Sequence, residues 1–81
     1  MKAVIENNKT IVNFSKEEVI VLLEWLHNFN EEDNHIFFKD QAEQRVLWDL
    51  EAELENVNSA IFEGNYIEIL SKAREKIRDI D

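Results

Sequence analysis

The sequence predicts an α-rich α+β domain, in which an N-terminal β-hairpin precedes three helices in a small antiparallel bundle. Two β-branched runs flank an Asn-rich turn near the N-terminus, and apolar residues then recur at helical spacing in three segments. With 81 residues, the chain is long enough for one domain. We expect a single domain over residues 1–81, with the hairpin at about 3–14 and helices at about 16–29, 40–58 and 66–80.

The predicted hairpin consists of two runs rich in β-branched residues, Ala3-Val4-Ile5 and Thr10-Ile11-Val12-Asn13-Phe14. Between them, Asn7-Asn8-Lys9 supplies residues that tolerate positive φ, so the turn needs no glycine. An isolated hairpin is marginal in water. We therefore expect this one to pack on the helices or to pair with another sheet edge.

The first helix is predicted to begin at a capping box, Ser15-Lys16-Glu17-Glu18. In such a box the Ser15 hydroxyl accepts from the Glu18 N–H, and the Glu18 carboxylate accepts from the Ser15 N–H. The apolar residues of this helix cover an arc of about 200°, which is wide enough to contact two neighbours. They are Val19, Val21, Leu22, Leu23, Trp25, Leu26 and Phe29.

The second helix is predicted to have Asp40 as its N-cap and a core-facing apolar stripe. That stripe comprises Leu47, Leu50, Leu54, Val57 and Ile61. Trp48 and Ala52 project nearly opposite to the stripe, so Trp48 either packs under the hairpin or belongs to a contact surface. Before this helix, a polar, acidic loop is interrupted by the apolar run Ile36-Phe37-Phe38. We expect this run to pack the loop against the core.

The third helix is predicted to follow a turn in which Gly64 adopts a positive φ. Its core residues are expected to be Tyr66, Ile69, Leu70, Ala73, Ile77 and Ile80. The basic residues near its C-terminus, Lys72, Arg74, Lys76 and Arg78, offset the negative end of the helix dipole and are not expected to form a nucleic-acid site.

The acidic charge excludes several classes of function. The formal net charge is −9, and residues 17–68 contain fourteen acids against two bases, Lys39 and Arg45. Binding to nucleic acid or to an anionic membrane requires clustered cations, so neither partner is expected. The chain has no cysteine, no run of about 20 apolar residues, and no secretion signal over Met1 to Glu6. A cytoplasmic location is therefore expected.

No catalytic or metal-binding constellation is complete in the sequence. Glu24-Trp25-Leu26-His27 has the Glu-x-x-His spacing of di-iron bundles, but such a site needs a second copy of the motif and two further carboxylates. Glu24 and His27 are expected on the polar side of the helix. The other histidine, His35, lies in an acidic loop. We therefore expect neither an enzyme nor a bound cofactor or metal.

One stretch resembles known sequences. The pattern Leu47-Trp48-x-Leu50-Glu51-x-x-Leu54-Glu55, then Phe62-x-x-x-Tyr66, then Leu70-x-x-Ala73-Arg74 resembles one found in small uncharacterised acidic helical proteins of bacteria. It runs from Arg45 to Arg74, about a third of the chain, and implies no activity. From helical geometry, Arg74 is expected to pair with Glu51 or Glu55 and so join the second and third helices.

The sequence favours a non-enzymatic, acidic interaction module that binds a protein partner or a second copy of itself. We expect Trp48, Asp49, Ala52 and Glu53 to form the contact surface, and its carboxylates would suit a basic partner. A homodimer is expected because the first helix has a wide apolar arc and the hairpin has an open edge. The alternative is an immunity-type inhibitor whose carboxylates imitate DNA phosphates and cover a basic nucleic-acid-binding protein.

Overall fold

The computed structural model describes residues 1–58 and 64–79 and confirms the predicted hairpin followed by three helices. The elements are β1 (Lys2–Glu6), β2 (Lys9–Asn13), α1 (Lys16–Glu31), a 3₁₀ turn (His35–Phe37), α2 (Gln41–Val57) and α3 (Tyr66–Arg78). No helix in this described part of the chain is long and apolar enough to cross a membrane.

The hairpin is held by its turn and by cross-strand pairs. Asn7 and Asn8 both adopt positive φ, at 51° and 65°. Two successive residues of this kind form the turn whose twist matches that of paired strands. Val4 faces Ile11 across the ladder, but every residue of both strands is exposed. The main contacts of each strand are therefore with the other strand, and the hairpin packs little on the helices. The alternative expectation, that it pairs with another sheet edge, stays a prediction.

Helix α1 is the centre of the fold, and its main helical contacts are with α3 and α2. This confirms that its wide apolar arc meets two neighbours. The buried residues of α1 are Val19, Ile20, Leu23 and Leu26, and those of α3 are Leu70 and Ala73. Helix α2 has no fully buried residue, and its Leu47, Leu50 and Leu54 are half-buried. The core therefore lies between α1 and α3, and α2 covers one side of α1.

The predicted caps are confirmed. The Glu18 N–H donates to the Ser15 hydroxyl at 3.1 Å, and the Ser15 N–H donates to the Glu18 carboxylate at 2.7 Å. Asp40 caps α2 by accepting from the Ala42 N–H at 2.8 Å. Gly64 adopts a φ of 67°, so the position before α3 needs the left-handed backbone that the sequence suggested.

Three predicted core residues are exposed instead. Val57, the last residue of α2, is 73% exposed. Ile36 and Phe37 are 75% and 67% exposed, since the 3₁₀ turn presents them outward. Asn34 is buried in their place, and its side-chain amide donates to the Phe29 carbonyl at the end of α1. The predicted core positions Ile61 and Ile80 lie outside the described residues.

Candidate functional site

An apolar groove lies where the end of α1, the 3₁₀ turn and the start of α2 meet. Its volume is about 530 Å³. We call it the aromatic groove, and its walls are formed by Phe29, Phe37, Phe38, Ala42, Glu43, Val46 and Leu47. Three phenylalanines converge here because Asn34 folds the chain back at the end of α1, with its amide hydrogen-bonded to the Phe29 and Glu32 carbonyls.

The rings in and beside the groove form one continuous aromatic surface. Phe29 contacts Phe38 edge-on with ring centres 6.1 Å apart, and it contacts Phe37 at 6.3 Å. Trp25, one turn earlier in α1, stacks on Phe29 with ring centres 4.8 Å apart and planes 14° from parallel. Such pairs favour defined ring orientations. The contacts among the rings therefore give the surface a preferred shape.

Much of this aromatic surface faces water. Trp25 is 54% exposed, Phe37 67% and Val46 64%. Scattered exposed apolar residues are normal in proteins, but a contiguous apolar patch with polar surroundings is typical of a binding surface. The sequence-based search missed the groove because it assigned Phe29, Phe37 and Phe38 to the core. The available signal was the apolar run Ile36-Phe37-Phe38 inside an acidic segment.

The contact residues predicted from sequence occupy another part of α2. Trp48, Asp49, Ala52 and Glu53 are all exposed, and Trp48 is 46% exposed. None of them lines the aromatic groove, which receives Val46 and Leu47 from the same helix. The structure therefore keeps Trp48 accessible as a contact residue but separates it from the concave apolar surface.

A second constellation, a polar cluster of His27, Glu51 and Glu55, joins α1 to α2. One ring nitrogen of His27 and one carboxylate oxygen from each glutamate lie within 4.8 Å of one another. His27 Nδ1 is 3.2 Å from Glu51 Oε2, and His27 Nε2 is 3.3 Å from Glu31 on its own helix. The amide of Asn30 donates to the other Glu51 oxygen at 2.7 Å. Glu51 thus receives two partners from α1.

The charges in the polar cluster shift the pKa values of its members. The hydrogen bond to Glu51 raises the pKa of His27 above its usual value. Burial opposes ionisation of Glu51, but its hydrogen bonds with Asn30, Glu55 and His27 outweigh that effect and lower its pKa. Glu55 has a raised pKa because it hydrogen-bonds to Glu51, a second carboxyl group. An acid with a raised pKa is one whose negative charge is disfavoured where it lies.

The expected ion pair between Arg74 and Glu51 or Glu55 is wrong for the described residues. Glu51 bonds to His27 and Asn30 of α1, and no ion pair joins Arg74 to either glutamate in the described part of the chain. Two polar contacts join α1 to α3 instead, beside their shared apolar core. Glu24 accepts a 2.8 Å hydrogen bond from the Tyr66 hydroxyl, and Glu17 pairs with Lys76 at 2.9 Å. Glu24 is thus half-buried, although the sequence placed it on a solvated face.

A small cavity of about 320 Å³ opens beside the polar cluster. Its lining residues are Glu24, His27, Glu55 and Tyr66. The Glu-x-x-His pair of α1 therefore faces carboxylates of α2 that are remote in sequence. Sequence reasoning identified the pair but could not find the residues that complete the cluster, because nothing in the spacing fixes how α2 lies against α1.

Comparison of the chain with protein-family models, with curated proteins and with solved structures found no significant match. The resemblance of residues 45–74 to small acidic bacterial proteins stays a prediction. The aromatic groove and the polar cluster are the features that bear on function.

Proposed function

We propose that the protein is a non-enzymatic docking module whose aromatic groove binds an amphipathic segment of a basic protein partner. The observation that supports this proposal is an apolar groove with exposed Phe37 and Val46 on its walls. Anchoring side chains gain most binding energy when they enter a concave apolar site and lose their contact with water. The groove offers such a site, with Trp25 extending it along α1.

Charge favours a basic partner over a second copy of this chain. Residues 29–47 supply every wall of the groove and contain the acids Glu31, Glu32, Asp33, Asp40 and Glu43 against the bases Lys39 and Arg45. Two copies, each of net charge −9, would repel one another as they approached. Lysines and arginines beside the anchoring residues of a partner would instead be attracted to the acidic rim.

The outer face of α2 is the proposed extension of this contact. Trp48 supplies an exposed aromatic side chain, Ala52 leaves room for a close approach, and both are flanked by exposed carboxylates at Asp49 and Glu53. A partner longer than the groove would reach this face along α2. The cytoplasm, expected from the lack of cysteine, is the proposed compartment.

The test uses a synthetic amphipathic peptide with leucine anchors on one face and lysines on the other. Its binding is followed by calorimetry and by the tryptophan fluorescence of the protein. Val46→Asp should weaken binding at least tenfold because it places a charge on the groove wall. The matched control is Val57→Asp, which makes the same change at a 73% exposed position on α2 outside the groove and should leave affinity unchanged.

A second peptide separates apolar docking from electrostatic mimicry. It keeps the lysines but replaces the leucines with serine. If it binds as tightly as the first peptide and Val46→Asp has no effect, the groove is not the site. In that case the protein is better explained as an inhibitor whose carboxylates imitate phosphates, a function for which its net charge of −9 is suited. Self-association is the other competing outcome, and light scattering that reports a dimer sensitive to Val46→Asp would identify it.

A further inference from the structure

We propose that His27, Glu51 and Glu55 bind one divalent transition-metal ion such as Zn²⁺ between α1 and α2. This goes beyond the docking function and does not depend on it. Imidazole nitrogen and carboxylate oxygen are both good ligands for such ions, whereas Mg²⁺ and Ca²⁺ prefer oxygen alone. A three-ligand set also leaves at least one coordination position for water or for a group from another molecule.

The distances in the cluster suit a metal centre. Two ligands that each lie about 2.0–2.2 Å from a tetrahedral zinc are roughly 3.3–3.6 Å from one another. His27 Nδ1 and Glu51 Oε2 are 3.2 Å apart, close to one edge of that tetrahedron. The three ligand atoms span no more than 4.8 Å. Glu55 is only partly buried, so its side chain has room to move towards an ion held by the other two ligands.

The surroundings of His27 also fit those of a metal-bound histidine. A metal-bound histidine usually donates its other ring N–H to a carboxylate, which fixes the ring orientation and the protonated nitrogen. With Nδ1 directed at Glu51, the opposite nitrogen Nε2 lies 3.3 Å from Glu31. Glu31 therefore occupies the place of the outer carboxylate in a carboxylate–histidine–metal arrangement.

Asn30 holds one of the three ligands in position. Its Nδ2 donates to Glu51 Oε1 at 2.7 Å, which holds that carboxylate in position. Its Oδ1 is shielded from solvent and has no hydrogen-bond partner among the described residues.

The cavity beside the cluster gives access and space. It is about 320 Å³, and both His27 and Glu55 line it, so an ion and its waters can enter from solvent. Glu24 faces the same cavity, held by the Tyr66 hydroxyl. A carboxylate so placed can hydrogen-bond a metal-bound water. Without an ion, a protonated His27 would neutralise the negative charge of only one of the two carboxylates, Glu51 and Glu55.

The experiment uses the full chain, freed of metal with a chelator and then dialysed. Co²⁺ is the spectroscopic probe, since its visible absorption reports ligand type and geometry, and Zn²⁺ is used in competition and in thermal unfolding. We expect one Co²⁺ per chain, displaced by Zn²⁺, and a melting temperature that rises with stoichiometric Zn²⁺. His27→Gln should weaken binding at least tenfold, whereas His35→Gln, which removes the other histidine, should not change it.

Glu55→Gln is the second variant, because it removes a ligand without removing the α1–α2 contact made by Glu51. We expect it to fold normally and to bind Co²⁺ at least tenfold more weakly. The proposal is overturned if the unmodified chain does not bind Co²⁺ at 1 mM, or if His27→Gln binds it as tightly as the parent. Equal weakening by His35→Gln would also overturn it, because binding would then be spread over exposed groups.

Discussion

The Tyr66 hydroxyl donates a hydrogen bond of 2.8 Å to Glu24, a residue 42 positions earlier in the chain. This bond joins the first turn of α3 to the middle of α1. Burial, together with the bond to Glu24, raises the pKa of Tyr66 to about 12. The phenol therefore keeps its proton, and remains a donor, throughout the pH range in which the protein is expected to be folded.

Tyr66→Phe should lower the free energy of unfolding by about 1 kcal/mol, because it leaves the half-buried Glu24 carboxylate without this donor. Urea denaturation measures the change. Glu24→Gln is the matched control: its amide oxygen still accepts the hydrogen bond, so its effect should be smaller. Equal losses in the two variants would show that the charge of Glu24, and not the bond to Tyr66, is what stabilises the contact.

Ser15→Ala should destabilise the protein by about 1 kcal/mol, the usual effect of losing an N-cap side chain. The Glu18 N–H would lose its acceptor in the capping box. Ser71→Ala makes the same chemical change at an exposed position inside α3 and should have little effect on stability. A denaturation midpoint that is equal in both variants would contradict the assigned role of Ser15.

The hairpin, the helices and their caps were predictable because each depends on residues close together in sequence. Ser15 and Glu18 are three positions apart, and Asn7 and Asn8 form the hairpin turn by themselves. Tertiary placement was not predictable in this way. The apolar run at Ile36 and Phe37 gave no sign that a buried Asn34 would turn it outward.

In the candidate sites, too, the local features were predictable from sequence and the tertiary contacts were not. His27 drew notice for its spacing from Glu24, but its partners Glu51 and Glu55 come from a different helix. Their approach depends on the angle and rotation of α2 against α1, which amphipathic periodicity does not specify. The expectation that Arg74 would pair with these glutamates failed for that reason.

Glu51→Gln and Glu55→Gln should have opposite effects on the metal-free protein. Glu55 has a raised pKa because it meets Glu51, so removing its charge relieves repulsion and should stabilise the fold by about 0.5 kcal/mol. Glu51 has a lowered pKa and two partners on α1, so its replacement should destabilise by about 1 kcal/mol. Thermal unfolding in the presence of a chelator compares them. Destabilisation by both variants would contradict the assigned repulsion.

The metal-free protein should lose stability as the pH rises above about 6.5. The pKa of His27 is raised in the folded state, mainly by Glu51, with Glu31 and Glu55 nearby. Its stabilising contribution is therefore complete below the unfolded pKa of about 6.5 and is lost as the pH passes through the higher folded value. Denaturation midpoints measured from pH 6 to 8 should show the decline. His27→Gln should abolish this decline, and His35→Gln should retain it.

Trp48→Ala should weaken partner binding more than reversal of Asp49 and Glu53 to lysine. An aromatic anchor that becomes buried contributes more to affinity than charges at the rim, whose main effect is on the association rate. Surface plasmon resonance at 50 and 300 mM salt separates the two effects. The charge reversal should slow association mostly at low salt, because exposed charges are screened over about 8–10 Å near physiological salt. A larger loss from the charge reversal would favour phosphate imitation.

Helix α2 carries a wall of the aromatic groove at Val46 and Leu47 and the two carboxylates of the polar cluster at Glu51 and Glu55. It has no fully buried residue to fix its position. An ion bound between Glu51 and His27 would restrict how α2 tilts on α1 and would thereby set the width of the groove. Thermodynamic linkage then requires reciprocity: if the metal tightens peptide binding by a given factor, the peptide tightens metal binding by the same factor.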